Sequence, residues 1–137
     1  MRIQVANTSY VHTEDLRRAV RIACCECGVR FAKDGVLLLY ARVHGRPYVG
    51  GQATCYPRQR VAWGRAVMWL YFPRNPAALD AEELVHVIRH EAMHLVGATH
   101  GTMTRSQRFC VGALPRWAEC LRFRIIELKP PNERLCK

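Results

Sequence analysis

The stretch His90-Glu91-Ala92-Met93-His94-Leu95-Val96-Gly97-Ala98-Thr99-His100 decides how this chain is read. Two histidines four positions apart on an α-helix stand one turn above each other on the same face. That spacing lets both imidazoles grip one zinc ion. Glu91 follows the first histidine directly and projects beside the metal, where its carboxylate can take a proton from an activated water. Gly97 tolerates a positive φ and can stop the helix, so the chain turns and His100 returns as a third ligand. Three protein ligands with one position left for solvent is the arrangement of a catalytic zinc rather than a structural one. The expected metal ligands are therefore His90, His94 and His100 around one Zn2+, with Glu91 as the catalytic residue.

Working outward, Asn75-Pro76-Ala77-Ala78-Leu79-Asp80 reads as a loop running into a helix start. Asp80 suits the N-cap, and Glu82 and Glu83 put negative charge in the first turn. Leu84, Val87, Ile88 and Leu95, flanked by Ala81, Val85 and Ala92, recur near the helical period. This predicts a helix from about residue 80 to 96, its apolar stripe buried and His90 and His94 on its more polar side. His86 extends the row to i, i+4, i+8. It is expected to support the ligands from behind or to face solvent, with a ligand role as the alternative should His100 not reach the metal.

The remainder alternates short strands and helices. Residues 2–6 read as a strand, and Thr13 as the N-cap of a helix whose face is Leu16, Ala19, Val20, Ala23 and Cys27. Gly28 stops that helix. Residues 36–43 form a clear strand, and His44-Gly45-Arg46-Pro47 a turn. Residues 48–56 form an irregular strand whose double glycine signals a bulge or a close backbone approach. Residues 65–72 form a further strand, ended by Pro73. After the loop 101–106, Pro115 opens a last helix with Trp117, Leu121, Ile125 and Leu128 as its core face, ended by Pro130-Pro131. His12 and His44 are expected at the surface or in turns. The order predicts an α+β fold: a small mixed sheet packed on two or three helices, with the cleft between the sheet edge and the metal-binding helix.

Composition sets the frame. At 137 residues the chain suits one domain, residues 1–137. No run of eighteen apolar residues exists, so no membrane span is expected, and residues 1–7 lack the apolar core of a signal peptide. The seven cysteines are an odd number, which with no export signal favours a reducing, cytoplasmic setting. Cys24 and Cys27 form a CxxC without a partner pair. Buried free thiols are the expectation; a second zinc completed by Cys110 or Cys120, or a Cys110–Cys120 disulfide in an exported protein, is the alternative. The net charge is +10, carried mostly by arginine. Such a balance suits nucleic acid or another polyanion, the alternative being a merely solvated surface. The basic residues are scattered, and no aromatic–basic interleaving along the chain marks a nucleic-acid groove. A monomer is expected.

The segment from His90 to His100 resembles the zinc signature of the metzincin group of zinc metallopeptidases at all of its fixed positions. Residues 48–53 through 69–71 are similar to the glycine-rich edge strand that precedes the active helix in that group. The resemblance implies a zincin-like domain with His90, His94 and His100 as ligands, Glu91 as general base and acid, and Gly97 as the turn that frees the third ligand. The group also places a methionine turn beneath the zinc. Met103 lies close after His100, and an ordinary loop or core methionine is the alternative. The chain is shorter than most metzincins. Its compact size, its charge and the residues His100, Ser106 and Phe109 are similar to the SprT- and WLM-like zincins, which are intracellular and include peptidases acting on DNA-bound proteins.

The function expected is a zinc-dependent metallopeptidase acting on a peptide or protein substrate. Zinc lowers the pKa of a water to about 7 and polarises the scissile carbonyl, while Glu91 takes the proton and passes it to the leaving amine. The oxyanion needs a further donor, for which Tyr71, Arg105 and Tyr56 qualify by type. A peptide would lie extended along the sheet edge. Two rival readings are a non-catalytic zinc-binding module that binds nucleic acid or a protein, and a zinc hydrolase of non-peptide amides. A cysteine or carboxylate closing the fourth coordination position would favour the module.

Overall fold

A computed structural model describes residues 2–56, 63–104, 114–120 and 122–126. The elements run β1 (Arg2–Asn7), α1 (Thr13–Glu26), β2 (Phe31–His44), β3 (Gly50–Tyr56), β4 (Trp63–Pro73), a 3-10 turn (Pro76–Ala78), α2 (Ala81–Leu95) and α3 (Arg116–Cys120). The strands form one mixed sheet in the order β1-β2-β4-β3. β1 and β2 are parallel, as are β2 and β4, and β3 runs antiparallel to β4 at the edge. The expected α+β architecture, a small mixed sheet with two or three helices, is what the described residues adopt, with three helices among them.

Alternation fixes which sheet face is covered. In β2, Leu37, Leu39 and Ala41 are buried, and in β4 so are Ala66, Met68, Leu70 and Phe72. A strand turns successive side chains to opposite faces, so these residues share one side. Both long helices pack there: Leu16, Ala19, Val20 and Ala23 of α1 and Leu84, Ile88, Ala92 and Leu95 of α2 join them in one core cluster. No described helix covers the opposite side, where Tyr40, Trp69 and Tyr71 are half-buried. Tyr10 is buried at the end of the core, edge-on to Phe72, with its hydroxyl donating to the Pro73 carbonyl.

Three expectations need correction. The cap of α1 is His12, whose Nδ1 accepts from the Glu14 amide, while the Thr13 hydroxyl accepts from the Asn7 side chain at 3.0 Å. The last helix is short. Residues 122–126 are not helical, and Arg124 to Ile126 pair with residues 10–12, bridging Val11 through Ile125, with the Ile126 amide donating to Tyr10 and the His12 amide to Arg124. Ile125 is 49% exposed rather than on a core face, because backbone pairing with residues 10–12 outcompetes the helical continuation. Leu121 and Leu128 lie outside the described residues. β2 also starts five residues before the expected Val36, at Phe31, with a register irregularity between those two positions.

Candidate metal centre

Helix α2 carries the site and is fixed at both ends by its own sequence. The Asp80 carboxylate accepts from the amides of Glu82 and Glu83 at 2.9 and 3.4 Å, satisfying donors that no helical carbonyl can reach. Glu83 in turn accepts from the Val49 amide, tying the first turn of α2 to the start of β3. At the other end Gly97 takes φ +90°. The Ala98 amide donates to the Met93 carbonyl at 3.1 Å and the Gly97 amide to the His94 carbonyl at 3.0 Å. This is a Schellman closure, and it needs a residue without a Cβ at Gly97.

That closure does two things for the site. It reverses the chain, so that the turn from Thr99 to Met103 brings His100 back over the helix. It also presents the Ala98 carbonyl to His94 Nδ1 at 2.9 Å. A carbonyl only accepts, so Nδ1 carries the hydrogen and Nε2 keeps its lone pair for a ligand. Burial, and secondarily the neighbouring His90 and His100 rings, hold His94 below the usual imidazole value, against the opposing pull of the Ala98 carbonyl. A neutral ring is the ligating form.

The three rings converge. His90 Nε2 lies 3.1 Å from His94 Nε2 and 3.2 Å from His100 Nε2. Two nitrogens on a tetrahedral ion at about 2.0–2.1 Å would stand about 3.3 Å apart. The set could thus hold one metal ion, and among the described residues no cysteine or further carboxylate joins it. His90 is buried, His94 half-buried and His100 exposed, so the triad opens toward solvent on one side.

Glu91 stands beside it, only 4% exposed. Its Oε2 is buried without a hydrogen-bond partner, and an unsatisfied buried carboxylate oxygen calls for a ligand to answer it. Burial pushes its pKa up to about 7, where a carboxyl group both accepts and releases a proton near neutrality. His90, at 9% exposed, and Glu91 are thus more enclosed than a polar helix side suggests.

The enclosure comes from β3. A Cβ added at Gly51 would stand 2.9 Å from Glu91 Cγ, 3.0 Å from the Trp69 carbonyl oxygen and 3.2 Å from Val87 Cγ1. The double glycine therefore marks a close approach of edge strand and helix. It marks no bulge, since Gly50 to Tyr56 pair with β4 in unbroken register. Between β3 and α2 lies a cleft of about 690 Å³ whose walls include Gly51, Gln52, Trp69, Glu91 and the three histidines. No protein-family model, curated protein or solved structure matches this chain.

Other candidate residues fall elsewhere. His86 is half-buried and stands outside the triad. Tyr71 points to the uncovered sheet face and does not line the cleft. Arg105 and the Tyr56 side chain lie outside the described residues. Met103 is buried, and its amide donates to the Thr99 carbonyl in the turn that bears His100. Cys24 is a buried free thiol, as expected, pushed up to about 12 by burial, whereas free Cys25 is exposed. Cys110 and Cys136 and the side chains of Cys55 and Cys120 lie outside the description. What the residue-by-residue reading missed is Gly51 as the floor of the site; its signal was the glycine pair inside a strand.

Proposed function

We propose that the chain is a zinc-dependent metallopeptidase, with His90, His94 and His100 as the metal ligands and Glu91 as the proton carrier. The observation that carries the reading is the convergence of three Nε2 atoms beside a buried carboxylate whose Oε2 has no partner. The zincin-like character suggested by the signature and the glycine-rich edge strand belongs to the same reading. A divalent ion at the triad supplies Lewis-acid activation of a water and of the scissile carbonyl.

The chain's own groups do the rest. Glu91, held against Gly51, takes the proton of the attacking water and delivers it to the departing amine. His94 is kept in its ligating tautomer by the Ala98 carbonyl. Among the described strands β3 lies at the edge and pairs only with β4, so its outer backbone groups can orient an extended peptide across the cleft. A non-catalytic metal module fits less well. Such a site has no use for a buried orphan carboxylate, and no described cysteine or acid completes the triad.

The test is metal analysis together with peptide-library digestion. Wild type and Glu91→Gln are both expected to bind about one zinc per chain, and only wild type to cleave, the variant losing about 10²–10⁴ of the rate. Full activity in Glu91→Gln, or stoichiometric zinc retained by His94→Ala, would overturn the reading.

A further inference from the structure

The sheet has a second face. On the side away from α1 and α2, β2 and β4 raise a row of rings. Tyr40 and Trp69 stack with centroids 4.3 Å apart and planes 18° from parallel. Trp69 and Tyr71 are within 7° of parallel at 6.3 Å, and His44 continues the row at 5.9 Å from Tyr71. The Arg42 guanidinium lies over the Trp69 ring, 5.5 Å from its centroid. At the adjoining turn Arg46 lies over Tyr48, 5.8 Å away.

The charge on this side has one sign. The four strands contain a single carboxylate, Asp34, at the irregular start of β2. By register Arg2, Arg42 and Arg65 share the face of the rings, and all three are exposed. No described residue forms an ion pair with any of them. The rings themselves are half-buried by one another; of the exposed large apolar residues, Tyr48 borders this face under Arg46, and Ile125 and Ile126 belong to the segment paired with residues 10–12. The face is therefore cationic and aromatic without being a broad greasy patch, which speaks against an apolar protein partner.

We infer that this face is a stacking platform for single-stranded nucleic acid. Unpaired bases add to a row of aromatic and guanidinium planes without regard to sequence, and the arginines neutralise the phosphates. A duplex has its bases already stacked and offers no planes to the row. Trp69 belongs both to this row and to the wall of the cleft, so a bound strand would pass along the rim of the metal centre.

The experiment measures fluorescence anisotropy of labelled oligothymidine, oligouridine and a duplex of equal length with the full chain, across a salt series. Saturable single-strand binding, weaker on the duplex, is expected. Tyr40→Leu and Tyr71→Leu should each weaken it about tenfold with the circular dichroism spectrum unchanged. Arg42→Ala should lower the salt slope by about one, whereas Arg18→Ala, on an exposed position of α1 behind the sheet, should leave affinity within about twofold. No saturable binding by wild type overturns the inference, as does equal affinity for the duplex; neither result depends on a variant folding. A folded Tyr40→Leu that binds like wild type, or a wild-type dimer in sedimentation that Tyr40→Leu dissolves, overturns it as well.

Discussion

Gly51 shows how a single missing side chain shapes the site. A Cβ at this position would meet Glu91, Val87 and the Trp69 carbonyl at once, so nothing larger than hydrogen fits without moving the Glu91 side chain or the sheet. Gly51→Ala should destabilise the fold by about 1–3 kcal/mol through overpacking and weaken zinc binding by displacing α2. Equilibrium urea unfolding and a zinc titration check both, and a variant as stable as wild type would show that the close approach is soft. Gly97 is different in kind, because its φ of +90° excludes other residues by backbone conformation rather than by crowding. Both roles were partly legible beforehand. A glycine after a helical stripe signals a stop, and a glycine pair inside a strand signals proximity, but which side chain is near a strand glycine is written nowhere along the chain.

At the scale of elements, α2 is the best-specified piece of the molecule. Its cap, acidic first turn, apolar stripe and glycine stop all agree, and the observed helix Ala81–Leu95 with Asp80 as N-cap follows them closely. Asp80→Ala should cost about 1 kcal/mol, read as a lower urea midpoint with an unchanged slope. The C-terminal segment behaves otherwise. Its apolar spacing suggests a helix, yet residues 124–126 pair with residues 10–12 instead. Arg124 anchors them, donating to Asp15 from its amide at 2.8 Å and from its guanidinium at 3.0 and 2.9 Å. Those contacts, the side-chain bonds first, hold the Asp15 carboxyl below its ordinary value. A lowered carboxylate contributes stability that is present above its unfolded value and lost as the pH falls through the folded one. Arg124→Ala should therefore melt lower than wild type at neutral pH, and the gap should close in acid below about pH 4. Thermal melts across that range decide it; a gap that persists in acid would assign the anchoring to backbone pairing alone.

At the scale of the whole molecule, the candidate metal centre joins an edge strand to a helix and turn that lie some thirty residues further along the chain. Edge strand β3, helix α2 and the turn after Gly97 meet around one cleft. An ion bound there by the folded chain stabilises all three at once. Zinc at about 100 times its Kd should add about 2.7 kcal/mol and raise Tm by about 10 °C, a chelator should remove the gain, and His94→Ala should show none of it. Calorimetry with and without zinc makes the measurement.

The sequence by itself determined the helix that bears His90 and His94, the turn that returns His100, the strands and the class of fold. These depend on local rules of capping, periodicity and glycine conformation, which act within a few residues. Only the tertiary structure decided that β4 would lie between β2 and β3, that β3 would press Gly51 against Glu91, and that rings and arginines scattered along the chain would line up across two strands on one face. Such juxtapositions arise from strand order and register, contacts between residues tens of positions apart that no local pattern encodes.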